Sequence, residues 1–135
     1  MRSLPAPPAP LVVGPLTRTD LVRYQGASGD LQPVHHDEQF ARAAGYPVPL
    51  SLGMLHAGLL GGWAAQWWGA DNARRFRVRF TRQAFVGDTL TCSGIVVAQH
   101  DDLVELELTC VQQDGETVAQ AWATFVLPPE SEEQQ

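Results

Sequence analysis

Along positions 11 to 127 the spacing of apolar residues changes period more than once, and each change marks an element. Leu11, Val12 and Val13 form a short apolar piece that reads as an opening strand. Thr17, followed three residues later by Asp20, makes a capping box with Asp in place of Glu. Leu21, Val22 and Tyr24 then begin a helix that Gly26 and Gly29 are expected to end. Pro33 makes residues 30–36 irregular, residues 37–44 suit one or two helical turns, and Pro47 and Pro49 return residues 45–50 to loop.

From Ser51 or Leu52 to about Trp68, Leu55, Leu59 and Trp63 recur at helical spacing beside a row of small residues, Gly53, Ala57 and Gly61. Almost no charge falls on this stretch, so the helix is expected to be buried on nearly all sides. The period then drops to two. Residues 74–80 alternate strictly, and residues 89–98, 103–111 and 117–126 are rich in strand-forming types, with turns at residues 99–102 and at Asp114 and Gly115. An early strand, a long buried helix and several antiparallel strands imply an α+β layer fold in which one sheet curls around the helix, the element order of the hot-dog fold.

Composition narrows the class. A chain of 135 residues with 44% hydrophobic and 18% charged content makes one compact domain, and a net charge of −6 argues against a general nucleic-acid or anionic-membrane binder. Its partners are therefore expected to be small molecules or proteins. No apolar run reaches membrane-spanning length, and prolines interrupt the first ten residues where an export signal needs a continuous apolar core, so a cytoplasmic location is expected. Residues 1–10 read as a disordered, Pro-rich arm, residues 11–127 as the folded domain, and residues 128–135 as a disordered acidic tail. Cys92 and Cys110 lie inside alternating runs and lack any CxxC partner, which reads as two reduced core thiols.

Asp30 and His35 lie five positions apart on the irregular loop, where neither helix nor strand geometry forces them apart. A carboxylate beside an imidazole fixes the ring and lets the pair position a water and move one proton near neutral pH. The run YQGASGDLQPVH from Tyr24 to His35, followed by FARAAG from Phe40 and LGML from Leu52, resembles the signature of the MaoC-like dehydratases, with Val78, Arg79 and Phe80 and then Gly87, Asp88 and Thr89 continuing the likeness. That family includes (R)-specific enoyl-CoA hydratases and (3R)-hydroxyacyl thioester dehydratases. The resemblance implies a single hot-dog domain that reversibly hydrates trans-2-enoyl thioesters of CoA or acyl carrier protein, with no metal and no cofactor. It makes Asp30 and His35 the catalytic pair and Gly53, at the start of the central helix, the oxyanion contact. The helix start suits that role physically, because its N–H groups are unpaired and its dipole is positive. Two substrate-binding positions depart from the family pattern: Gln32 stands where Asn is usual, and Leu52 where His is usual.

Five of the nine arginines fall between residues 74 and 82. Arg75, Arg77 and Arg79 alternate with Phe76, Val78 and Phe80, so the strand sends apolar groups inward and guanidinium groups outward. The row reads either as a solubilising or subunit-contact face, or as a dock for the phosphates of CoA or phosphopantetheine. His36, Asp37 and Glu38 diverge as neighbours and lack a second ligand cluster, so no metal site is expected. His56 reads as a hydrogen-bonded core residue and His100 as solvated. A single hot-dog sheet leaves an edge strand open, which implies a homodimer or a heterodimer with a related hot-dog subunit. A hot-dog thioesterase and a non-catalytic subunit of a heteromeric dehydratase are the alternatives.

Overall fold

The computed structural model describes residues 3–128. Its elements are β1 (Leu11–Val13), α1 (Arg18–Ser28), a 3-10 turn at Pro33–His35, α2 (Glu38–Ala43), α3 (Gly53–Trp68), β2 (Ala73–Phe80), β3 (Leu90–His100), β4 (Leu103–Val111) and β5 (Thr117–Val126). The strands form one antiparallel sheet in the order β1-β3-β4-β5-β2, and α3 packs across its inner face. This is the expected hot-dog arrangement.

Side-chain alternation sets the core. Leu90 and Cys92 from β3, Val104, Leu106 and Leu108 from β4, and Ala121, Ala123 and Phe125 from β5 meet Leu60, Trp63, Ala64 and Trp68 from α3. Gly94 makes room for the largest of these: a methyl group there would lie 2.5 Å from Leu108 Cδ2 and 3.1 Å from Trp63 Cζ3. Cys92 and Cys110 stand opposite one another on β3 and β4 as free, buried thiols.

Three local readings need correction. The first helix runs through Gly26, whose surroundings are open, and stops only at Gly29, which takes the left-handed conformation at φ 76°. β3 continues past residue 98 to His100 by absorbing a bulge between Val96 and Ala98. The central helix is not buried on nearly all sides, because one curled sheet covers only part of its circumference. His56, Ala57, Leu60, Trp63, Ala64 and Trp68 are buried, whereas Met54, Gly58, Gly62 and Gln66 are exposed.

Residues 3–10, expected to be a disordered arm, run extended against α3. Trp63 Nε1 donates to Ala9 O at 2.9 Å, Trp67 Nε1 donates to Pro5 O at 3.0 Å, and Leu4 packs on the core. The expected acidic tail, apart from Pro128, lies outside the described residues.

Candidate functional site

The loop after α1 is built around two side chains. Asp30 Oδ1 accepts from Gln32 N at 3.2 Å, a turn that fixes the carboxylate and leaves Oδ2 facing inward. Pro33 opens the 3-10 turn that carries His35 into the protein, where it is buried. His35 Nδ1 lies 2.6 Å from Leu50 O. A carbonyl has no proton to give, so Nδ1 carries a hydrogen, and it is the Nδ1–H tautomer that offers a lone pair at Nε2. Asp30 Oδ2 is 3.7 Å from Nε2, a separation that leaves both atoms open to one shared water.

The carbonyl that orients His35 is itself fixed. Leu50 N donates to Val34 O, Ser51 N to Ala84 O and Val86 N to Pro49 O, while Leu50 bridges Phe85. The chain then enters α3 at Leu52, which is buried and supplies no side-chain cap. Leu55 N donates back to Leu52 O at 3.1 Å, whereas the Gly53 and Met54 N–H groups have no intrahelical acceptor and sit at the positive end of the helix dipole. A methyl group at Gly53 would lie 3.2 Å from Phe80 Cε1, so glycine lets the Phe80 ring close over the helix start.

Asp30, His35, Leu52 and Gly53 thus share one open cleft of about 370 Å³, lined also by Tyr24, Ser28, Met54 and Phe80. The Gln32 side chain is exposed and does not line it; the residue contributes its backbone instead. Nor does the structure bring Arg75, Arg77 and Arg79 to the cleft. Strand alternation sends Phe80 and Phe76 toward α3 and the arginines to the opposite face, where the Arg77 guanidinium lies 4.7 Å from the Trp122 ring centroid.

Sequence reading missed Gln25. It is buried, Nε2 donates to Asp30 O at 3.0 Å and to Gln32 O at 3.1 Å, and Oε1 accepts from His36 Nδ1 at 3.0 Å. Two carbonyl acceptors fix which end of the amide is NH2. The available signal was a glutamine four residues after Leu21, on the one buried face of α1.

His56 is the core residue expected of it: it is buried, with Nε2 2.9 Å from Ser51 Oγ. Burial pushes its pKa down to about 4. The unfolded chain takes up this proton near the ordinary value of about 6.5, the folded chain only near 4, so this stabilising contribution is complete above about 6.5 and is lost as pH falls. The loss is on the order of 3 kcal/mol once both states are protonated. Urea midpoints should fall between about pH 6.5 and 4, and His56→Asn should remove that part of the slope.

No curated protein sequence matches this chain. Among solved structures, the chain is similar to the ChsH1-ChsH2 complex from Mycobacterium tuberculosis at a TM-score of 0.83 and 24% identity, covering 95% of this chain and all of the matched one. It is similar to an (R)-hydratase from A. caviae involved in PHA biosynthesis at 0.81 and 25%, covering 89% and 93%. The R-hydratase PhaJ1 from Pseudomonas aeruginosa aligns at 0.83 and 23%, covering 94% and 83%. Residues 7–119 match the family model of the MaoC-like domain, which takes in the Asp30 loop, the His35 turn, α3 and most of the sheet, and the chain belongs to that family.

Proposed function

We propose that this chain adds water across the double bond of a trans-2-enoyl thioester and, in reverse, dehydrates a (3R)-hydroxyacyl thioester, carried on CoA or an acyl carrier protein. The observation that carries this reading is the placement of His35, with Nδ1 2.6 Å from Leu50 O and Nε2 3.7 Å from Asp30 Oδ2, in a cleft that also contains the start of α3. A water between the two accepts nothing from the protein and donates to both. Its oxygen adds at C3 while Nε2 takes one proton, and the resulting imidazolium is stabilised by Asp30 and returns that proton to C2. The hydroxyl stays on C3, so one water is consumed and the pair ends as it began. Negative charge on the thioester oxygen falls on the Gly53 N–H, since the Leu52 side chain has no donor to offer in its place.

No helix among the described residues is long and apolar enough to cross a membrane. The reading is tested with enoyl-CoA substrates of increasing length and bulk, followed at the conjugated-enoyl absorbance. Loss of that absorbance with the thioester intact is expected. Release of free thiol from saturated and unsaturated acyl-CoA alike would instead mark a thioesterase.

A further inference from the structure

Asp88 stands just before β3 and does not line the cleft, yet its carboxylate gathers several donors. Phe85 N donates to Oδ2 at 2.9 Å, Gln112 Nε2 donates to the same oxygen at 2.9 Å, and Gln113 Nε2 donates to Oδ1 at 2.9 Å. Asp88 N in turn donates to Phe85 O, so the turn at residues 85–88 is closed from both ends. Gln112, buried just past the end of β4, uses the same amide nitrogen to donate to Gln83 O at 3.0 Å. The carboxylate and this glutamine thereby tie residues 83–88 to the end of β4.

That loop supports the carbonyl to which His35 is bonded. Of the backbone bonds on segment 49–51, the one from Leu50 N to Val34 O comes from the His35 turn itself and cannot fix that turn from outside. The bonds from Ser51 N to Ala84 O and from Val86 N to Pro49 O both run to the loop that Asp88 closes. Leu50 O then lies 2.6 Å from His35 Nδ1. The contacts run from Asp88 through residues 84–86 and 49–51 to the imidazole, and only the last of these groups faces substrate.

We infer that Asp88 is a positioning residue for His35: by closing the 85–88 turn it fixes the Leu50 carbonyl, and with it the ring's tautomer and the place of Nε2. Because it acts through His35, its loss should slow the reaction step and leave substrate binding nearly unchanged. The kinetic half of this inference rests on the hydration reading, whereas the tautomer of the ring does not.

Asp88→Ala removes every acceptor of the carboxylate. Asp88→Asn keeps one oxygen for Phe85 N and Gln112 Nε2 and gives up only the bond from the exposed Gln113. Long-range 1H–15N spectra of the histidine rings are recorded at about pH 8, where an ordinary imidazole is neutral, with His35 assigned by the signals missing from His35→Ala. The wild-type chain and Asp88→Asn should show the Nδ1–H tautomer, and Asp88→Ala a mixture of the two tautomers. On an enoyl-CoA, Asp88→Ala should lower kcat about tenfold with KM nearly unchanged, and Asp88→Asn should restore most of the rate. Wild-type ring signals or a wild-type kcat in Asp88→Ala overturns the inference, as does an equal loss in both variants. If the wild-type chain hydrates no thioester, the hydration reading fails and the ring signals alone decide the role of Asp88. Should circular dichroism show Asp88→Ala unfolded, Gln112→Met replaces it, cutting the tie to β4 while Phe85 N keeps its acceptor. The same mixture of tautomers with a several-fold loss of kcat is then expected, and an unchanged ring and rate overturns the inference.

Discussion

Replacing His35 by alanine is expected to lower turnover of an enoyl thioester about 10³-fold, within the range lost with a general base. Asp30→Asn should cost a comparable factor, since an amide neither stabilises the imidazolium nor accepts the second hydrogen of the water at full strength. The double variant should be scarcely worse than His35→Ala, because groups that act as one unit are not additive. Both single variants should stay folded: Asp30 is half exposed, and truncating His35 leaves Leu50 O as the main unpaired group, with the flanking 49–51 segment still held by its backbone bonds. Steady-state kinetics on the two single variants and the double variant, with circular dichroism of each, check this. Near wild-type rates from either folded single variant would sink the assignment of the pair.

The second large effect is expected at a residue that never meets substrate. Gln25→Leu keeps the volume of the side chain but strands Asp30 O, Gln32 O and His36 Nδ1. Buried polar groups left without partners cost about 1–3 kcal/mol each, less where the loop can turn them to solvent, so a loss of roughly 2–4 kcal/mol is expected. The same bonds hold the Asp30 carboxylate toward His35, so kcat should fall tenfold or more while KM changes little. A merely structural role would lower stability and leave kcat per folded molecule intact. Urea unfolding together with the split between kcat and KM separates the two.

The elements were legible because their causes are local. The Thr17–Asp20 box forms as written, with Asp20 N donating to Thr17 Oγ1 and Thr17 N to Asp20 Oδ2. Strict alternation in β2 and runs of strand-forming residues after it mark the sheet, with the β3 bulge between Val96 and Ala98 as the local exception. The Asp30 and His35 pairing was legible from the family likeness, since their spacing alone fits a turn and a solvated loop histidine equally well, and the structure places the two 3.7 Å apart. What escaped the sequence depends on distant chain. The tautomer of His35 is set by Leu50 O, fifteen residues away, and Phe80 reaches Gly53 only because β2 folds back beside α3. The central helix looked fully buried because its composition carries no polar face, yet how much of it is covered depends on how many layers surround it. Gln32 looked like a site residue by its place in the motif, while the physical tether of that loop is Gln25.

The central claim is that water adds at C3 of an intact thioester, and the fate of the water oxygen tests it most directly. Turnover of a short trans-2-enoyl-CoA in 18O-labelled water, followed by mass spectrometry of the product, should place the label in the C3 hydroxyl of a (3R)-hydroxyacyl-CoA with the thioester intact. The same label found in a free carboxylate, with CoA thiol released, would contradict the account.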